Sequence, residues 1–459
     1  MADTGFRDDD RSPLDIAVVG TGIAGMACAW LLSARHRVTI YESAEHIGGH
    51  ANTVEVATRS GSQPIDTGFI VYNEATYPNL TAMFQYLGVR TQESDMSFAV
   101  SLDEGRLEYA GTDLNGLFAQ RLNLFRPRFW GMLRDLWRFY REAPRDLPRL
   151  EHDLVSLDSY LRDGGYGAAF RDDHLLPMAA SIWSCPPAAA GLQPAAAFIR
   201  FCDNHGLLKI SDRPTWRTVR GGSREYVRCL TETFADRIHT SRPALAVERL
   251  EGGVRVHSVA GAHYYDHAVL ACHADQALGL LGRCATRREQ AILGAFRYTR
   301  NMAVLHTDET LMPKRLDVWA SWNYLGRSCG TPPETRPCVT YWMNRLQRLE
   351  GSTQYFVTLN PPRPPRPATL LRTENYEHPV FDDAAILAQK QLWSLQGNLG
   401  IWFCGAYFGA GFHEDGLQAG LAVGEQLGGA RRPWTVPNES SRIYVQSSGK
   451  TETGTRTSA

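Results

Sequence analysis

Ile16–Val19 is a continuous apolar run, as a strand buried on both faces requires. A glycine-punctuated turn follows, then a long apolar segment of helical length, then "RVTIYE". Residues 16–56 therefore predict strand, turn, helix, strand. Alternating apolar positions return at 244–273, where "ALAVERLEGGVRVHSV" and "HYYDHAVLACHA" predict a β-meander ending in a buried parallel strand. Strand-like runs such as "NMAVLHTD" and "TQYFVTLN" recur through 296–360, and "PPRPPRPATL" after them reads as a stiff loop. Residues 399–429 predict strand, glycine-rich turn and helix. Residues 1–14 read as a flexible leader, and 438–459, rich in Ser, Thr and Gly, as a disordered tail.

Length and charge narrow the class. The 459 residues suit two or three domains with a large core. With 48 basic against 49 acidic residues, the chain lacks the basic footprint of nucleic-acid binding. Nine Cys residues without a C-x-x-C pair make a poor disulfide framework and a poor zinc site. Reduced thiols, a cytoplasmic location and no metal are expected. The polar N-terminal stretch carries no secretory signal pattern, and no run of about 18 apolar residues predicts a membrane span.

The turn after Val19 spells G-x-G-x-x-G in Gly20, Gly22 and Gly25. In such a turn the first glycine permits the bend and the second lets backbone approach a pyrophosphate. The third lets helix pack on strand. The helix-start amides, with Ile23 and Ala24, then face the phosphates. Glu42 closes the second strand about twenty residues past Gly20, where a ribose-binding acid belongs, with Ser43 beside it. The absence of a nearby Arg for a 2′-phosphate disfavours NADP. NAD and FAD both remain open on these residues alone.

A second glycine pair, Gly48-Gly49, follows in "SAEHIGGH", and "IDTGFIVYN" carries Asp66, Thr67 and Gly68. Here the sequence resembles the flavin amine oxidase superfamily, whose Gly-Gly-Arg element wraps the FAD pyrophosphate. His50 stands where that Arg is usual, and His46 where another is common. The departure bears more on amine oxidation than on FAD. "IWFCGAYFGAGFHEDGLQAGLAVGEQL" resembles the superfamily's closing strand, turn and helix. That resemblance implies that Gly405 ends the strand and that Gly416, Leu417 and Gln418 start the helix beside the isoalloxazine, with Gly420 allowing close packing. It also implies a backbone contact from Val247 to the adenine. Covalent attachment through Cys404 is not expected, so FAD is expected to be non-covalent. The implied fold is α/β: a Rossmann-like FAD-binding domain of glutathione reductase type with an inserted α+β substrate domain. FAD-binding pieces are expected at 15–80, 216–285 and 396–430, a helical substrate region at 81–215 and a substrate sheet at 286–395.

"GGHANTVEV", "IDTGFIVYN", "SIWS" and "GFHEDG" together resemble a bacterial family of predicted FAD/NAD-binding oxidoreductases. Their genes neighbour those for cyclopropane-fatty-acid synthase-like methyltransferases, and some members are implicated in desaturating methyl-branched acyl chains on the way to furan fatty acids. The resemblance implies a methyl-branched unsaturated fatty acyl chain of phospholipid as substrate, desaturated by hydride transfer to flavin, with the methyltransferase as a functional partner. A flavin amine oxidase and a redox-neutral double-bond isomerase are the alternatives. Such a site calls for a long apolar tunnel.

His413 and Glu414 are the candidate proton acceptors, because a buried Glu can be raised towards neutrality. The competing reading is an Asp415 helix cap with a solvated His–Glu pair. Trp183, Tyr72 and Trp322 are the candidate substrate-lining residues, against plain core packing. Residues 121–150 carry eight Arg against three acids, interleaved with Phe, Trp and Leu. This is the composition of an interfacial membrane anchor, or of a helix with one buried aromatic face. The anchor would place the protein at the inner face of the membrane.

Overall fold

The computed structural model describes residues 12–59, 61–150, 155–183, 185–209, 213–327 and 337–445. β1 (Asp15–Val19), α1 (Ile23–Ser33) and β2 (Arg37–Tyr41) form the predicted opening unit. β3 (Ile238–His239), β4 (His267–Leu270) and β5 (Ile401–Phe403) join it in one parallel sheet, in the order β3-β2-β1-β4-β5. Val18 sits opposite both Ile40 and Val269, and Leu270 opposite Phe403. All five side chains are buried, which is why these strands read as continuous apolar runs. The meander Ala244–Leu250, Gly253–Ser258, Gly261–Tyr265 is antiparallel.

Four further helices place the site: α2 (Pro78–Tyr86), α3 (Pro127–Leu150), α4 (Leu176–Trp183) and α5 (His413–Gln426). α5 lies directly on α1. A Cβ on Gly420 would stand 2.1 Å from the Ala24 carbonyl oxygen, so only glycine lets the two helices approach this closely.

The substrate sheet has seven strands in the order 370–380, 297–306, 356–359, 338–342, 322–326, 98–102 and 107–110. Its last two strands come from the region expected to be helical. Phe98 pairs in parallel with Trp322, so the two halves of the substrate domain share one sheet. The architecture is thus a Rossmann-like dinucleotide domain with an α+β substrate domain.

Residues 438–445, expected to be disordered, are packed on the protein. Ile443 is buried, the Arg442 backbone N–H donates to Gln418 (3.1 Å) and its guanidinium pairs with Asp415 (3.3 Å). These contacts hold 438–445 against α5. The rest of the tail (446–459), and 1–11 of the leader, lie outside the described residues. Among the described residues no helix is long and apolar enough to cross a membrane.

Candidate active site

A cavity of about 470 Å³ runs from the first glycine turn into the substrate domain. The three glycines of that turn are required for different reasons. Gly20 has φ +106° and a Cβ there would stand 2.9 Å from the Ala271 carbonyl oxygen; on Gly25 it would stand 2.0 Å from the Gly20 carbonyl oxygen. Protein packing alone demands these two. A Cβ on Gly22 would meet no protein atom within 4 Å, and Gly22 lines the cavity. Bare backbone facing open space at the start of α1 fits a pyrophosphate approaching the helix amides.

Glu42 also lines the cavity. Its carboxylate accepts from the Thr21 backbone N–H (3.0 Å), the Thr21 hydroxyl (2.5 Å) and the Ala44 N–H (2.8 Å). With the Ser43 hydroxyl (3.2 Å), four donors hold it at the end of β2, in place for a ribose. The second glycine pair folds back onto the first turn: a Cβ on Gly49 would lie 3.1 Å from Gly22 Cα, and the Gly48 N–H donates to Thr21 Oγ1 (3.2 Å). Gly49, Ser43, Ile23 and Ala24 line the cavity; Gly48 and Gly25 support it from behind. The residues present fit FAD.

His50 stacks on Tyr376 (4.8 Å between ring centroids) and lies 5.5 Å from His378. Its Nε2 is buried without a partner, and burial, with the neighbouring His378, holds its pKa well below the usual histidine range. Thr67 shares a hydrogen bond with the Tyr376 hydroxyl (2.7 Å), and Gly68 is pressed against the His50 carbonyl; both line the cavity. Asp66 sits behind them. Burial pushes it up to about 6, while Thr53, Ser223 and Gln347 donate to it.

The C-terminal half of the site differs from the sequence expectation. α5 starts at His413, one turn earlier than 416, because Asp415 turns back to accept the Phe412 N–H (2.8 Å). Gly405, Ala410, Gly411, Phe412 and His413 therefore face the cavity. Gly416 instead packs on Ile23, Leu417 is buried against α1 and α2 residues, and Gln418 donates to Glu414 (2.9 Å). None of these three lines the cavity, nor does Val247, whose side chain is buried in the nucleotide-domain core. Cys404 packs against Cys28 outside the cavity.

Glu414 is not placed as a base. Its carboxylate accepts from the Asn79 N–H (3.1 Å), the Asn79 amide (2.9 Å) and the Leu80 N–H (3.0 Å), as well as from Gln418. It caps the start of α2, fully buried and turned away from the cavity. His413 does reach the cavity, stacked on Phe69 (3.8 Å) with Nε2 bonded to the Tyr226 hydroxyl (2.8 Å). Burial pushes it down to about 3, so it is neutral and only weakly basic.

Trp183 and Trp322 line the cavity as expected. Tyr72 does not: its ring packs edge-on against Tyr77 and Phe84 beneath α2. The sequence reading missed Phe201, His205 and His378. Phe201 stacks on both His205 (3.9 Å) and Phe412 (4.8 Å). No local motif marks these residues, because the chain brings them together from far apart. Phe412 alone had a signal, its place inside "GFHEDG". Among the described residues no group of His, Cys, Asp or Glu is placed to hold a metal.

A search of curated proteins gives no match. Solved structures match in fold. Wild-type putrescine oxidase bound to putrescine aligns at TM-score 0.61 and 14% identity, covering 90% of this chain and 99% of that one. Cyclohexylamine oxidase from Brevibacterium oxydans IH-35A aligns at 0.62 and 15%, covering 90% and 99%. The CLA-producing fatty acid isomerase from P. acnes aligns at 0.60 and 15%, covering 91% and 98%. The family described as flavin containing amine oxidoreductase matches residues 23–350, most of the chain. With that match and the glycine turns of the site, FAD is the cofactor, the activity is that of a flavin-dependent oxidoreductase, and the chain belongs to the flavin-containing amine oxidoreductase family.

Proposed function

We propose that the protein desaturates a methyl-branched, unsaturated acyl chain carried by a phospholipid. One observation favours an acyl chain over an amine. Beyond the nucleotide turn the cavity is bounded by Met178, Ile182, Trp183, Phe201, Trp322 and Leu359, and its described lining holds no Lys, Arg or Asp. Rings such as Trp183, Phe201 and Trp322 surround this space, but a protonated amine entering it would find no free anion. The lining carboxylates are already engaged, Glu42 by Thr21 and Ala44 and Glu377 by Arg300 (2.8 Å). An acyl chain asks for nothing but apolar walls.

When bound, FAD supplies the acceptor for the hydride that leaves the substrate. The chain's own residues orient the alkyl segment between Trp183 and Trp322 and exclude water. His413 is too weak a base at about 3 to hold the substrate's proton at neutral pH, and serves as a neutral wall beside Phe69. The proton can leave where His273 and Glu377 meet solvent. Both residues line the cavity, their side chains stand 3.5 Å apart, and they are 29% and 26% exposed. The fatty acid isomerase among the structural matches keeps a redox-neutral rearrangement as the competing outcome.

The test is anaerobic mixing of the oxidised holoprotein with vesicles carrying methyl-branched unsaturated acyl chains, followed by visible absorbance and lipid mass spectrometry. Bleaching, with product lighter by two hydrogens, is expected. An unbleached band with lipid of unchanged mass but moved double bonds would assign the isomerase instead. Bleaching by amines alone would overturn the acyl reading.

A further inference from the structure

The helical region gathers its largest exposed apolar side chains at one place. Leu122, Phe125, Trp130 and Trp137 are 68%, 82%, 49% and 53% exposed. Trp130 and Trp137 are seven positions apart on α3 and so share a face, while Phe129, Met132 and Phe139 point inward and are buried. The Trp130 indole N–H donates to the Leu124 carbonyl (2.9 Å), tying this face to the turn Arg121–Phe125 before the helix. Trp130 is thereby joined to the turn that carries Leu122 and Phe125, and Trp137 follows two helical turns further on.

The surrounding charge is mainly basic, although Arg128 pairs with Asp173 (2.7 Å) and Arg134 with Asp135 (3.1 Å). Residues 121–150 hold eight arginines and three acids. Asp135 is buried and accepts the Gly167 N–H (2.8 Å), Asp146 accepts the Tyr160 hydroxyl (2.7 Å), and Glu142 sits beside Arg138 and Arg141. Arg141 lies over the Trp137 ring (4.6 Å), as cation and indole do at an interface. Exposed Trp, Phe and Leu rimmed by Arg fit the headgroup zone of an anionic bilayer, where rings enter the acyl boundary and guanidinium groups meet lipid phosphates.

The position suits the site. Phe129 and Met132 of α3 share an apolar cluster with Ala180 of α4, and α4 also gives Met178, Ser181, Ile182 and Trp183 to the cavity wall.

We infer that the face formed by Leu122, Phe125, Trp130 and Trp137 docks the protein on an anionic lipid bilayer. The inference rests on the surface, not on the proposed desaturation, and its test needs no turnover. FAD-loaded protein is sedimented with vesicles of phosphatidylglycerol mixed with phosphatidylcholine, and with phosphatidylcholine alone, at low and high salt. Pelleting with the anionic vesicles at low salt, reversed by salt, is expected. The double variant Phe125→Ser/Trp137→Ser, with its visible flavin band intact, should bind at least about tenfold more weakly. Arg145→Gln/Arg149→Gln, exposed positions on the same helix, should weaken binding by roughly five-fold per charge. Tryptophan emission of the wild type should shift to the blue on anionic vesicles, a readout that needs no variant. Failure to pellet at low salt would overturn the inference, as would equal binding by the serine variant. Self-association of the wild type that the serine variant abolishes would assign the face to a second copy of this chain instead.

Discussion

Gly22→Ala separates the demands of the cofactor from those of the fold. The added methyl meets no protein atom within 4 Å, and the native φ of −61° and ψ of 170° are open to any residue. Two small effects then oppose each other in the cofactor-free protein. Alanine is a poorer N-cap than glycine by roughly 1 kcal/mol. It also stabilises by about 0.4–1 kcal/mol because its unfolded chain is less free. Stability without FAD should therefore stay within about 1 kcal/mol of wild type. Binding should not. The methyl occupies space beside the helix-start amides, and losing one hydrogen bond to a charged phosphate costs about 1.5–3 kcal/mol, roughly ten- to a hundredfold in Kd. At FAD near 100 times the wild-type Kd, the ligand stabilises by about 2.7 kcal/mol; a hundredfold weaker site would retain about 0.4 kcal/mol. Thermal unfolding with and without FAD, together with flavin titration of the cofactor-free protein, measures both quantities. Gly25→Ala is the contrast: its methyl would stand 2.0 Å from the Gly20 carbonyl oxygen, so fold and binding should fail together. A Gly22→Ala protein that binds FAD like wild type, or that melts as low as Gly25→Ala without FAD, would refute the assignment of this turn to the pyrophosphate.

Glu414→Gln should lower stability by roughly 2–4 kcal/mol, because an amide faces the Asn79 and Leu80 N–H donors that the carboxylate now accepts, yet flavin reduction by substrate should be unchanged in the folded fraction. A tenfold slower reduction would return Glu414 to the chemistry. Trp183→Ala should raise KM for the acyl substrate by about tenfold or more, whereas Tyr72→Phe, away from the cavity, should leave it within about twofold. Burial pushes His174 and His306 down to about 4 from an ordinary 6.5. Below about 6.5 the unfolded chain takes up protons that the folded chain refuses until about 4. Each histidine's contribution is therefore full above that window and falls within it, by up to about 1.4 kcal/mol per pH unit, outweighing between them the opposite contribution of the raised Asp66. Denaturant midpoints that stay flat from pH 7 to 5 would contradict this.

What the sequence made legible was local, and what it hid was set by distant packing. Gly20 to Glu42 could be read because strand, turn, helix and acid form one contiguous unit whose geometry follows from residue spacing. Gly420 was legible for the same reason, as a small residue on a helix that must pack closely. Glu414 was misread because its partners, Asn79 and Leu80, lie more than three hundred positions away. Nothing around "GFHEDG" announces a helix terminus waiting there. Strands 98–102 and 107–110 were hidden likewise, because they complete a sheet whose other strands lie beyond residue 296. The two tryptophans found their cavity and Tyr72 did not, although all three sit in similar apolar surroundings. Which side of an element faces open space is a tertiary fact. α3 is intermediate: its charge and aromatic content were visible, and the structure decided which rings stay outside.

His50 raises the question of how the pyrophosphate is neutralised. Among the described residues the cavity lining contains no Lys or Arg, and His50, in the place of the family's usual arginine, is held neutral by burial and by His378. The charge must then be met by backbone: the amides at the start of α1, with about half a positive charge at the helix terminus, and those of the Gly49 turn that folds onto Gly22. Amides do not titrate, so FAD affinity should be flat from about pH 6.5 to 9 and should change no more than a few-fold in His50→Gln. A cationic His50 would behave otherwise, with affinity falling up to about tenfold per pH unit above its pKa and collapsing in the glutamine variant. Either behaviour would refute the backbone account. The uncharged arrangement also suits the rest of the cavity, since a guanidinium buried beside an alkyl substrate would carry a desolvation cost that an amide cradle avoids.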